Sequence, residues 1–159
     1  MANAGYSGTP LVRKLGIKPG STLALLDAPR GFRRELVGIP SGVRVSQALD
    51  ANPPDLIVWF VMSGRALDVR MATVSRAMGP GLWVAWPKKA SGVVTDLTED
   101  SVRAAGLANG LVDYKVCAVN ETWSGLKFAR RKKLLRPRRA LRARGGNRVG
   151  RRSGPPARN

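Results

Sequence analysis

The chain has 159 residues, enough for one domain with a sizeable core, and its 28 lysine and arginine residues outnumber its 10 aspartate and glutamate residues to give a formal net charge of +18. It contains no histidine and a single cysteine, which excludes Ser-His-Asp and Cys-His catalysis, thiolate zinc sites and intramolecular disulfides. The large positive charge favours a polyanionic partner.

The first predicted elements are short. Residues 11–16 predict a helix that ends at a glycine, and residues 21–27 predict the first core strand. The strand runs into a turn, residues 27–31, that has one glycine and in which Pro29 lacks a backbone N–H. A weak second strand at 42–46 has no acidic residue at its end for a ribose hydroxyl. Both features argue against a cofactor bound in the usual Rossmann manner, and we expect no cofactor.

The centre of the chain predicts a strand, a helix and a second strand. Residues 55–62 include an unbroken apolar run, typical of a parallel strand buried on both faces. Ser63 fits a helix N-cap, and Ser75 is among the helix positions predicted to face water. The apolar positions of the helix recur at spacings of four, three and four: Leu67, Met71, Val74 and Met78. A second apolar strand at 82–86 completes what we expect to be a right-handed parallel crossover.

The last predicted elements are a helix capped by Thr98 and an antiparallel hairpin with strands at 114–120 and 126–130. Trp123 falls in the hairpin turn, where an exposed ring would suit base stacking. Acidic residues gather near the start of the helix, and they fit a cap and first turn better than a magnesium site: Asp96, Glu99 and Asp100. No metal site is predicted.

Open parallel sheets bind ligands beside the carboxyl ends of their strands, and five polar residues are predicted to lie at this edge: Asp27, Ser63, Lys88, Lys89 and Ser91. In one interpretation they form a shallow anion or nucleotide site, with the lysines on a phosphate and Ser91 adding a hydrogen bond. In the other, residues 87–92 are a solvated loop whose lysines keep the sheet end soluble.

Positive charge is concentrated near the C-terminus. Residues 129–159 hold 13 of the 28 lysine and arginine residues and none of the 10 acidic residues. Glycine and proline break any long helix there, and we expect this basic tail to be disordered in isolation. The composition predicts contacts with the phosphates of RNA or DNA by Arg130, Arg131, Lys132, Lys133, Arg136, Arg138, Arg139, Arg142, Arg144, Arg148, Arg151 and Arg152. The alternative is a solubilising extension.

Four stretches carry a resemblance to a known family: YSGTPL at 6–11, LWVAWPKKASG at 82–92, DLTE at 96–99 and GLVD at 110–113. Over residues 5–128 the chain resembles a bacterial family known as the domain of unknown function three-zero-five-two. The resemblance implies an α/β domain without an assigned activity. More distantly, the order of elements from residue 55 onward is similar to the second half of a class I methyltransferase.

These observations predict a single α/β domain over residues 1–128, followed by the basic tail at 129–159. Its sheet is expected to be Rossmann-like, methyltransferase-like and mostly parallel, with helices on both faces and a C-terminal antiparallel hairpin. No apolar run is long enough to span a bilayer and the first residues lack the features of a signal peptide, so we expect a cytoplasmic protein and no membrane partner.

Three functions remain open from the sequence. In the first, a non-enzymatic binding module uses its arginine-rich tail to bind RNA, DNA or a ribonucleoprotein. In the second, a small-ligand or nucleotide-binding protein, or an enzyme of degenerate methyltransferase-like type, uses the strand-end edge near Lys88 and Lys89. In the third, the domain is a purely structural interaction partner.

Overall fold

A computed structural model describes residues 8–132 of the chain. Two single turns of 3-10 helix, Phe32–Glu35 and Lys89–Ser91, accompany the regular elements. In chain order these elements are α1 (Leu11–Leu15), β1 (Thr22–Leu26), β2 (Arg44–Ser46), β3 (Leu56–Phe60), α2 (Gly64–Ala77), β4 (Gly81–Pro87), α3 (Glu99–Ala108), β5 (Leu111–Ala118) and β6 (Trp123–Arg130). The prediction of a disordered tail concerns residues that lie almost entirely outside the described part of the chain.

The described strands form one mixed sheet in the order β2-β1-β3-β4-β6-β5. The β2-β1-β3-β4 part is parallel throughout, and β6 joins β4 in antiparallel orientation. β5 and β6 then pair as an antiparallel hairpin at the edge of the sheet. The predicted mostly parallel sheet with a C-terminal hairpin is confirmed. β6 continues through Arg130, two residues beyond the predicted domain boundary.

The central β3-α2-β4 unit follows the sequence pattern closely. The Ser63 side chain accepts a hydrogen bond from the Ala66 backbone N–H and caps α2, as predicted. The four apolar residues spaced along the helix are all buried. The expectation for Ser75 is wrong, because its side chain is only 4% exposed. Its hydroxyl donates to the Ala72 carbonyl at 3.0 Å, which satisfies the buried group within the helix.

Helical elements cover both faces of the sheet, as predicted, but unequally. The first face packs against α2 and α3, with Trp59 and Phe128 in its core. The second face packs against α1 and the Phe32–Glu35 turn. On this second face the Trp83 indole N–H donates to the Leu15 carbonyl at 2.9 Å and anchors the short helix α1. The first face therefore carries two full helices, whereas the second is covered by shorter helical segments.

The hairpin differs from its prediction in one respect that matters for function. Trp123 is the first residue of β6 rather than a turn residue, and it is 8% exposed. Its ring packs edge-on against Phe60, with centroids 5.0 Å apart. The interpretation of Trp123 as an exposed stacking platform is therefore wrong, because the ring is needed to fill the second face. In the part of the chain that the structure covers, no helix has the length and apolar character required to cross a membrane.

Candidate functional site

The predicted ligand residues do follow the carboxyl ends of the parallel strands. Asp27 comes directly after β1, Ser63 lies between β3 and α2, and Lys88 comes directly after β4. The lysine loop forms the 3-10 turn Lys89–Ser91. These residues therefore lie at the carboxyl edge of the sheet, as the sequence predicted.

Asp27 combines an unusual backbone with a charged contact. Its φ of 55° lies in the left-handed region, which a non-glycine residue seldom adopts. One carboxylate oxygen lies 2.8 Å from Nη1 of Arg70 on α2. Because the Arg70 and Asp27 side chains are 41% and 57% exposed, solvent screens the pair and it contributes little to stability. The contact links the end of β1 to α2 and neutralises the Asp27 carboxylate.

The two serines at this edge stabilise local backbone. The Ser63 hydroxyl accepts from the Ala66 N–H at 3.1 Å, so it serves as the cap of α2. The Ser91 hydroxyl donates to the Lys88 carbonyl at 2.7 Å and accepts from the Val93 N–H at 3.1 Å. Both hydroxyls are therefore committed to the shape of their loops.

The lysines lie apart from the end of β1. The Lys88 backbone N–H donates to the Thr122 carbonyl at 2.8 Å, which ties this loop to the hairpin turn, and Lys89 is exposed. A cavity of about 470 Å³ opens at the end of β1, and Asp27 is the one residue of the predicted set of five that lines it. The structure does not gather the predicted residues around one cavity.

The cavity at the end of β1 contains residues that the sequence analysis did not select. Its lining includes Arg30 and Arg33, whose side chains carry guanidinium groups, and Gln47, the residue after β2, whose side chain carries a carboxamide. These groups can bind an anion and a hydroxyl group. Their positions in the sequence could have indicated them, because Arg30 and Arg33 follow β1 and Gln47 follows β2, at the ends of neighbouring parallel strands. Pro29 also lines the cavity and offers no N–H, as the sequence indicated.

The acidic residues near α3 have structural partners. The Asp96 carboxylate accepts from the Gly64 N–H at 2.8 Å, at the start of α2. Glu99, Asp100 and Asp113 all form ion pairs with Arg103, and the hydrogen bond to Glu99 is the main reason that the Arg103 pKa is raised. Within residues 8–132, no group of three or more metal-ligating side chains is placed to hold a metal ion.

The predicted nucleic-acid-binding residues begin at the end of β6. The Arg130 guanidinium donates to the Met78 carbonyl at 2.7 Å, just beyond the end of α2. Arg131 and Lys132 are exposed, and the Arg131 backbone N–H donates to Gly110. The other predicted contacts, from Lys133 onward, lie outside the described residues.

A second cavity, of about 480 Å³, lies at the opposite edge, where the parallel strands begin. Lys18, Tyr114 and Lys127 are among its lining residues, and the sequence analysis selected none of them. Burial lowers the pKa of Lys127, and the positive charges of Lys115 and Lys18 lower it further. Nearby, burial raises the pKa of the half-buried Cys117 thiol.

Comparison with solved structures identifies similar folds at very low sequence identity. Magnesium protoporphyrin IX methyltransferase from Synechocystis PCC 6803, with bound SAM, is 8% identical, with a TM-score of 0.51 over 76% of this chain and 74% of that one. A SAM-dependent methyltransferase from Aquifex aeolicus is 13% identical, with a TM-score of 0.50 over 74% and 86%. Mitomycin 7-O-methyltransferase is 11% identical, with a TM-score of 0.52 over 70% and 49%.

The chain has a methyltransferase-like fold. At these identities the likeness concerns the fold alone, and it confirms the predicted sheet architecture. No family model matches the chain, so the resemblance to the domain of unknown function three-zero-five-two stays a prediction. A comparison with curated proteins found no match either.

Proposed function

We propose that the chain is a non-enzymatic binding module that docks on RNA, DNA or a ribonucleoprotein through its arginine-rich segment, residues 129–159. The observation that carries the proposal is the distribution of charge, since this segment holds 13 basic residues and no acidic one. Each lysine or arginine that neutralises a phosphate releases counterions, and this release drives binding without regard to sequence.

The described part of the molecule supports this proposal where the segment begins. Arg131 and Lys132 are exposed next to the last strand, so phosphate contacts can start directly at the sheet. The cavity at the same edge adds Lys18 and Lys127. Positive charge thus continues from the segment onto the domain, which suits a partner longer than a single phosphate.

A salt titration tests this function. We expect the logarithm of the affinity of the full chain for a short RNA, read by fluorescence anisotropy, to fall with the logarithm of salt concentration at a slope of about −5, if about half of the 13 charges meet phosphates. A chain that ends after Lys132 keeps β6 intact and should lose most of this slope. An unchanged slope in the shortened chain would contradict the proposal.

A small-ligand function is the second candidate, and the cavity at the end of β1 favours it. Asp27, Arg30 and Gln47 line that cavity at the edge where parallel sheets bind ligands. The ligand class that fits is a molecule that carries both an anionic group and hydroxyl groups. Thermal shift of the full chain with S-adenosylmethionine and nucleotides tests it, because a ligand raises the melting temperature of the state it binds. A ligand shift that Arg30→Met together with Arg33→Met leaves unchanged would place that ligand elsewhere.

A further inference from the structure

The cavity where the parallel strands begin is surrounded by several lysines. A register shift in β5 lies between Asp113, which pairs with Phe128, and Lys115, which pairs with Lys127. The extra residue, Tyr114, lines the cavity beside Lys127. A β-bulge of this kind brings two successive side chains toward the same face. Lys18 reaches the same cavity from the loop after α1. We call Lys18, Lys115 and Lys127 the lysine cluster: Lys18 and Lys127 line the cavity, and Lys115, whose ammonium group donates to the Lys14 carbonyl, is close enough to Lys127 to repel it.

Lys127 occupies a position that two glycines make possible. A Cβ atom at Gly16 would lie 3.0 Å from the Lys127 Nζ, and one at Gly81 would lie 3.3 Å from its Cε. The ammonium group is 5.7 Å from the ring centroids of both Trp83 and Tyr114, and 3.5 Å from the Leu15 carbonyl oxygen. The side chain is therefore held between backbone and aromatic surface, at the wall of the cavity.

The charges of the cavity are unbalanced. Lys127 repels Lys115 and Lys18, and none of the three forms an ion pair with a residue that the structure describes. Among the described lining residues, Asp55 is the one acid. Its carboxylate already accepts hydrogen bonds from the Thr22 backbone N–H at 2.9 Å and the Thr22 hydroxyl at 3.2 Å. The three positive charges exceed the one negative charge of Asp55, and a bound anion would lower the repulsion among the lysines.

Tyr114 adds a feature that a simple anion site does not need. The residue is 57% exposed, and its ring lies next to the Lys127 ammonium group. Exposed aromatic rings beside cations are the arrangement by which proteins stack unpaired bases while binding the adjoining phosphates. In a duplex the bases are already stacked and paired, so this arrangement suits a single strand.

The cavity also lies where the basic segment leaves the domain. Arg130, the last residue of β6, donates to the carbonyl of Met78. Pro80 and Gly81, two and three residues further along, line the cavity. A nucleic-acid strand bound by the basic segment at 129–159 can therefore continue across the lysine cluster without passing around the sheet.

We propose that this cavity is a binding subsite for single-stranded nucleic acid, in which the lysine cluster contacts phosphates and the Tyr114 ring stacks on one base. The subsite rests on the proposed nucleic-acid function and adds a preference for unpaired bases to it. It lies at the opposite edge of the sheet from the cavity beside Asp27.

The test uses the full chain and fluorescence anisotropy with three probes of equal length: a single strand, an abasic single strand and a duplex. Tyr114→Ala should weaken binding to the single strand about 5- to 150-fold, the range for loss of one stacked base. It should leave the affinity for the abasic strand unchanged, since no base is present to stack. Tyr114→Phe keeps the ring and should retain the affinity of the parent for all three probes.

The phosphate contacts are tested by charge removal with a matched control. Lys127→Met keeps the apolar stem and should make the salt slope less steep by about 0.7 to 0.9. Arg65→Met removes one charge from the exposed first turn of α2, on the other face of the sheet, and should leave the slope of the parent. Melting temperatures of all variants check that the fold is retained.

Three failures are distinguishable. If the parent binds nucleic acid but Tyr114→Ala leaves single-strand affinity unchanged, or weakens the abasic strand equally, the subsite is overturned and the function of the basic segment survives. If Lys127→Met and Arg65→Met change the slope equally, the phosphate contact at Lys127 is overturned. If the parent binds none of the probes, both the subsite and the proposed function fail.

Discussion

The residues predicted to bind a ligand at the carboxyl edge of the sheet and the lysines at its opposite edge differ in how they are bonded. At the carboxyl edge, Ser63 and Ser91 are bonded to backbone and Asp27 is paired with Arg70. At the amino edge, where the parallel strands begin, Lys127 lies among like charges and beside the ring of the exposed residue Tyr114. Polar groups that complete their bonds within the protein stabilise loops, whereas a concentration of one charge calls for a partner from outside. The lysines that lack an acidic partner among the described residues therefore lie at the amino edge, whereas the fold alone would suggest the carboxyl edge as the binding site.

The largest expected effect comes from removing the Trp83 ring, which lies under the Lys127 ammonium group at the amino edge. Trp83→Ala deletes a fully buried ring and the indole hydrogen bond to Leu15 that anchors α1. We expect a loss of about 3–5 kcal/mol in the free energy of unfolding, measured by urea denaturation. Lys89→Ala, an exposed change at the carboxyl edge, should stay within about 0.5 kcal/mol of the parent. A small loss at Trp83 would mean that α1 is not held through this contact.

An intermediate effect is expected from the carboxyl edge, where Ser63 should act as a cap and not as a ligand residue. Ser63→Ala removes the acceptor for the Ala66 N–H and should cost about 1 kcal/mol in the urea-determined free energy of unfolding. Ser63→Gly should cost only a few tenths of that amount, because glycine is itself tolerated as an N-cap. Equal stability of Ser63→Ala and the parent would show that the cap contributes nothing.

The sequence was most informative where the interactions are local. The apolar run before Ser63 and the spacing from Leu67 to Met78 predict the central crossover, because burial on two faces and helical periodicity leave direct patterns. Trp123 was misjudged because its burial depends on Phe60, which is distant in the sequence. A turn-like composition around it concealed the start of a strand.

The amino-edge cavity was not predictable for the same physical reason. It combines Lys18 with Lys127, which are more than a hundred residues apart in the sequence. It also depends on a β-bulge at Tyr114, where no glycine or other turn residue indicates an irregular strand. At the other edge, the sequence located the ends of the strands correctly. It could not tell that Lys88 and Lys89 lie away from the cavity that Asp27 lines.

The smallest expected effect concerns the titration of Lys127. Lys115→Met removes one neighbouring positive charge, so the pKa of Lys127 should rise toward its ordinary value. It should not reach that value, because burial is the larger cause of the lowered pKa. NMR titration of lysines dimethylated with ¹³C measures the shift, and Lys89→Met serves as the control that leaves it unchanged. An unchanged Lys127 pKa in Lys115→Met would mean that the two ammonium groups do not repel each other.

The same titration gives a stability dependence whose sign is fixed. Because the folded-state pKa of Lys127 lies below that of the unfolded chain, the unfolded chain binds more protons between the two values. Stability should therefore gain from this residue as pH rises from the lowered pKa to the ordinary value of about 10.4. Lys127→Met should remove that gain, and Lys115→Met should reduce it. A gain that persists in Lys127→Met would have to come from another group.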